Sequence, residues 1–118
     1  MKNKWILIAA LTGFLGVALG AFGAHGLKKY LSPEELETYR TGILYHLIHS
    51  AVLLSIGFYN SEKLNKAAAF IFTGIILFSF SLYFYAVTGI RFLAFITPIG
   101  GLSFLAGWAL IAWYAIKY

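Results

Sequence analysis

Thirteen charged residues divide this chain into four long stretches that carry none, covering 5–27, 41–61, 67–90 and 92–116. These runs are 23, 21, 24 and 25 residues long, and a helix needs about 20 apolar residues to cross a hydrocarbon core of roughly 30 Å. Each run can span a membrane once. In lipid every backbone N–H and C=O must be paired within its own segment or within a closed barrel. A barrel strand is about 9–11 residues bounded by turns. The one stretch with a period of two, Phe78-Ser79-Phe80-Ser81-Leu82, lies inside 24 uncharged residues without a proline, so helix is the expected state there too.

The expected fold is an all-α membrane protein, a four-transmembrane-helix antiparallel bundle forming one integral membrane domain over 1–118. Its spans fall at about 5–26, 41–59, 67–88 and 93–116. Composition agrees: 61% of the 118 residues are hydrophobic and 11% charged, where soluble domains carry about 25% charged residues. That excludes a soluble enzyme, a disordered tail and a nucleic-acid-binding domain. The net charge of +5 needs no nucleic acid to explain it, since lysines beside a span meet anionic lipid. With no cysteine there is no disulfide framework, thiolate nucleophile or cysteine-ligated metal.

Lys2 and Lys4 before an apolar run ending in Ala21-Phe22-Gly23-Ala24 resemble a secretory signal. The run exceeds the roughly 7–15 residues of a signal core and three further spans follow it, so a retained first span is expected. Ser32-Pro33-Glu34-Glu35 carries a helix start: serine as N-cap, proline at the first helical position and glutamate at the third. The second helix is therefore expected to begin near Pro33 and run to about Tyr59, its first turns projecting beyond the hydrocarbon. Thr97-Pro98 allows a helix starting at Pro98 or a kink inside a longer one, with the kink slightly favoured. Lys2, Lys4, Lys63, Lys66 and Lys117 fall on the side of the termini, against Lys28, Lys29, Arg40 and Arg91 on the other. This bias favours both termini in the cytoplasm. Trp5, Trp108 and Trp113 lie towards the terminal side, as in an interfacial belt.

Projection at 100° per residue gives each span a packing face. Gly13, Gly16, Gly20 and Gly23 share one face of the first, and Gly100, Gly101 and Gly107 one side of the fourth, small residues that let backbones approach. Tyr39, Gly42, Ile43, His46, His49, Ser50, Leu53 and Gly57 make a stripe on the second helix, and Gly74, Ser81, Tyr85 and Thr88 group on the third. An ionisable residue inside a span is a candidate site because it is costly unless paired. The candidate polar pocket is His25, His46, His49, Ser50, Ser81, Tyr85 and Thr97, with Lys28, Lys29, Arg40 and Arg91 above it as candidate headgroup ligands. Three readings compete: neutral imidazoles hydrogen-bonded between helices, a site for an anionic or polar headgroup, and a metal or haem site. No acidic residue lies within the spans and Met1 is the only methionine, so nothing reinforces the third. A small transporter would need an oligomer to enclose a path. No nucleophile elbow, Walker loop or metalloprotease motif is present, so no cofactor is expected and no positive case for an enzyme arises.

Gly20-Ala21-Phe22-Gly23-Ala24-His25-Gly26-Leu27, Thr41-Gly42 through Tyr45 and His49, Leu77-Phe78-Ser79 with Ser81-Leu82-Tyr83, and Thr97-Pro98-Ile99-Gly100-Gly101 with Phe104-Leu105-Ala106-Gly107-Trp108 resemble the YgdD/YwdK-like family of small multi-pass membrane proteins. The resemblance covers essentially the whole chain. It implies a four-span bacterial inner-membrane protein of undefined biochemical function. His25 and His49 match the family pattern, whereas His46 stands where glutamine is the pattern and Phe80 where glycine is. The expected function is a non-enzymatic protein that binds membrane lipids or a partner, either another membrane protein or further copies of itself.

Overall fold

The structure, a computed structural model, describes residues 4–118; Lys2, counted above in the charge balance, lies outside them. Four helices are long and apolar enough to cross a membrane: α1 (Lys4–Leu27), α2 (Pro33–Tyr59), α3 (Glu62–Thr88) and α4 (Arg91–Lys117). There is no strand among the described residues, and the long axis of 49 Å exceeds a bilayer of about 40–45 Å with its headgroups.

Local chemistry sets the ends. Ser32 Oγ accepts from the Glu35 N–H at 3.1 Å, while Glu35 Oε1 accepts from the Ser32 N–H at 2.8 Å. This complete capping box starts α2 at Pro33. Asn60 and Gly89 end α2 and α3 in the left-handed region, at φ 58° and 69°, which asparagine and glycine tolerate best. The α2–α3 turn is tight, and α3 opens with a 3₁₀ turn at Glu62–Leu64. α4 runs unbroken through Pro98, so Phe92–Ile96 is helical and the reading in which a helix starts at Pro98 does not hold.

The helices alternate in direction. At one end the Trp5 indole donates to Asn65 Oδ1 at 3.0 Å and Lys63 Nζ lies 3.8 Å from the Tyr118 ring centre. The start of α1, the α2–α3 turn and the end of α4 therefore meet there. The α1–α2 and α3–α4 turns lie at the other end. α1 packs along α2, α3 packs along α4, and α2 against α3 joins the two pairs.

Glycines make the close seams, because hydrophobicity gives helices no drive to associate in lipid. A Cβ on Gly16 would lie 2.7 Å from the Leu47 side chain, one on Gly20 2.9 Å from Ile43, and one on Gly107 2.6 Å from Ile71. Gly100 leaves no room at all, since its Cβ would run into the α3 backbone at Leu77 and Phe78. Gly13 and Gly101 are looser, with nearest neighbours at 3.9 and 3.7 Å. Gly42, Gly57 and Gly74 complete the seams, against Tyr83, Ile6 and Phe104. Two π-helical turns, Leu19–Gly23 in α1 and Ile75–Ser79 in α3, lie against these glycine contacts. The second brings Phe78 onto Gly100.

Candidate functional site

The polar residues of the interior fall into separate clusters instead of one pocket. His46 is fully buried where α1, α2 and α3 meet. Its Nε2 lies 2.7 Å from the Thr12 carbonyl, which can only accept, so Nε2–H donates. In the neutral ring Nδ1 then holds the lone pair, and the Tyr83 hydroxyl donates to it at 2.7 Å. Ser50 Oγ lies 2.9 Å from both Thr12 Oγ1 and the His46 carbonyl, closing the cluster.

His49 is 5% exposed and faces α4. Its Nδ1–H donates to the Tyr45 carbonyl at 2.7 Å, one turn back, and the Trp108 indole N–H donates to Nε2 at 3.0 Å. An indole cannot accept, so the partners fix the neutral Nδ1–H form. The ring stacks on Phe104, with centres 3.7 Å apart. The two histidines thus hold opposite tautomers, each set by its neighbours. Spacing of i, i+3 turns them about 60° apart on the helix, which sends His46 towards α1 and α3 and His49 towards α4.

Ser81 and Thr97 form a third pair, with oxygens 2.6 Å apart, and Thr97 also donates to the Leu93 carbonyl at 3.2 Å. This hydroxyl pair joins α3 to α4 beside Pro98, where the helix lacks one backbone donor. Tyr85 is half-buried and joins none of these clusters. Ser79 Oγ is the buried side-chain oxygen without a hydrogen-bond partner among the described residues.

His25 corrects the expected pocket. It lies exposed at the end of α1, apart from both interior histidines. There it lines a cavity of about 300 Å³ with Gly20, Ala21, Ala24, Lys28, Arg40 and Ile43. Ala21, Ala24, His25 and Lys28 share one face of α1, and Arg40 and Ile43 one face of α2. The π-helical turn at Leu19–Gly23 forms the small-residue floor. Its Leu19 carbonyl is held from the opposite side by the Tyr39 hydroxyl at 2.7 Å. Three groups able to carry positive charge meet there with no acidic residue in the lining. Lys29 and Arg91 do not line this cavity. Arg91 begins α4, which forms no packed seam with α1.

A metal or haem iron needs a free ring nitrogen, and both nitrogens of His46 and of His49 are engaged. Among the described residues no group of three or more histidine, aspartate or glutamate side chains could hold a metal ion. Several partners escaped sequence reasoning. Thr12 contributes a carbonyl that any residue would supply, although its place on the glycine face of α1 was a signal. Trp108 was expected in an interfacial belt, yet it bonds inward to His49. Tyr83 lies outside the polar face assigned to α3.

Comparison with known proteins matches residues 19–101 to the family model described as a protein of unknown function (DUF423). The chain is 41% identical to the UPF0382 inner membrane protein YgdD of Escherichia coli (strain K12), over 99% of this chain and 93% of that one. It is 40% identical to the UPF0382 membrane protein YwdK of Bacillus subtilis (strain 168), over 97% of each. It is also 40% identical to a UPF0382 membrane protein of Haemophilus influenzae, over 99% of this chain and 97% of that one. No solved structure matches.

Proposed function

The chain belongs to the DUF423 family of unknown function, and from that premise we propose that it is a non-enzymatic inner-membrane protein that binds the phosphate of an anionic phospholipid. The cationic cavity of His25, Lys28 and Arg40 is the site, with both termini in the cytoplasm and the cavity at the opposite surface.

The observation that carries this reading is the convergence of the three side chains over a floor of Gly20, Ala21 and Ala24. Arg40 offers a planar fork to phosphate oxygens and Lys28 a point charge. Headgroup depth is supported by the charged first turns of α2, with Glu34, Glu35 and Glu37, and by Arg40 lying two turns after Pro33. The small-residue floor leaves space for the glycerol beneath the phosphate.

The test is native mass spectrometry of protein released from nanodiscs that contain equal phosphatidylglycerol and phosphatidylcholine. The wild type retains phosphatidylglycerol preferentially, and Lys28→Gln/Arg40→Gln lowers that preference about tenfold, the scale of one charge-assisted hydrogen bond. An unchanged preference in the double variant would refute the reading.

A further inference from the structure

On the opposite flank of α1 lies a second cavity of about 530 Å³, an apolar groove between α1 and α3. Leu15, Leu19, Gly23 and Leu27 form one wall, and Phe84 and Val87 stand on the other. Tyr39 and Tyr83 close the floor, their ring centres 5.1 Å apart. Both floor hydroxyls are already engaged elsewhere, Tyr39 with the Leu19 carbonyl and Tyr83 with His46. The groove therefore offers its occupant carbon and no hydrogen bond.

We propose that this groove holds one acyl chain of a phospholipid from the leaflet that faces the α1–α2 turn. Length argues for it. Leu15 to Leu27 is twelve helical steps, about 18 Å, running from mid-span to the end of α1. One leaflet is half of a hydrocarbon core of roughly 30 Å. Charge agrees, since Lys29 comes two residues after Leu27, the last groove residue of α1, and marks the height at which the phosphate of such a lipid would lie. The rim argues against a helix of a partner or a second copy. The one glycine of the groove, Gly23, already faces the Tyr39 hydroxyl, and the edge carries the large, exposed side chains of Leu15, Phe84 and Val87. A docked helix would also need a seam through both leaflets, and this one stops halfway.

The experiment uses the full chain in phosphatidylethanolamine nanodiscs doped with phosphatidylglycerol that carries a photoreactive diazirine on one acyl chain. Adducts are mapped by peptide mass spectrometry. Labelling at Leu15, Leu19 and Phe84 is expected to exceed that at Phe14 and Val17, on the lipid-facing side of α1, by about tenfold. Leu15→Trp/Val87→Trp, which fills the groove from its rim, should abolish the excess. Lys28→Gln/Arg40→Gln should leave it in place, so groove and cationic cavity succeed or fail separately. Even labelling around α1 in the wild type would overturn the proposal without recourse to any variant. So would an excess that survives groove filling, or a dimer that groove filling converts to a monomer.

Discussion

The indole N–H of Trp108 lies 3.0 Å from His49 Nε2 and ties α4 to α2 across a gap that no glycine closes. Aromatic rings fill that gap: His49 stacks on Phe104, and the Tyr45 ring centre lies 6.3 Å from that of Phe104. Because an indole only donates, this bond exists only while His49 Nε2 keeps its lone pair. Nitrogen-15 NMR of the protein at neutral pH should therefore report the Nδ1–H form for His49 and the Nε2–H form for His46. Trp108→Phe should lower stability by about 0.6 kcal/mol, and at most about 1.7, in reversible unfolding from bicelles. It should also release the His49 tautomer preference.

His46 is tied to two helices at once, so its replacement has graded consequences. His46→Leu leaves the Thr12 carbonyl and the Tyr83 hydroxyl without partners in an apolar interior, and should cost about 1–3 kcal/mol. His46→Gln keeps a donor and an acceptor on one side chain and should cost less than half as much. Equal losses in the two variants would mean that packing, not hydrogen bonding, sets the demand at this position.

Neighbouring glycines of α4 provide an internal control. Gly100 rests on the α3 backbone, which cannot give way, while the nearest atom to a Cβ on Gly101 would be 3.7 Å off in the Phe78 side chain. Gly100→Ala should destabilise by about 1–3 kcal/mol, and Gly101→Ala should stay within about 0.5 kcal/mol of wild type. Thermal unfolding of the two variants side by side in one detergent decides the matter.

Ser79 offers the opposite sign. Its hydroxyl is buried with no hydrogen-bond partner among the described residues, so Ser79→Ala removes a desolvated group and should leave stability unchanged or raise it by about 1 kcal/mol. Ser103, whose hydroxyl donates to the Phe70 carbonyl at 2.7 Å, should lose stability on the same substitution. A loss at Ser79 as large as that at Ser103 would show that its oxygen has a partner in the membrane.

Much of this architecture was legible in the residues. Charge-free runs give the four spans, Ser32-Pro33-Glu34-Glu35 gives the start of α2, and glycine periodicity gives the faces of α1 and α4, because each rule acts within a single helix. The polar clusters were not legible to the same degree. Which of two adjacent faces a histidine serves depends on where neighbouring helices lie, so His46 and His49 were assigned to one pocket although they bond in different directions. Helical face and estimated depth assign His25 to the same pocket, whereas its position at the end of α1 puts it with Lys28 and Arg40. The π-helical turns, which shape the cavity floor and bring Phe78 onto Gly100, have no sequence signature that periodicity detects.

The central claim is that Arg40 meets a lipid phosphate at the mouth of the α1–α2 cavity. Phosphorus–carbon dipolar recoupling by solid-state NMR measures that contact directly, on protein labelled at arginine Cζ in phosphatidylglycerol bilayers. The account predicts strong dephasing of the Arg40 signal by phosphorus, of the kind given by a guanidinium in hydrogen-bond contact with phosphate, and its loss when phosphatidylglycerol is replaced by an uncharged glycolipid. Dephasing at Arg40 no stronger than at Arg91, which does not line the cavity, would contradict it.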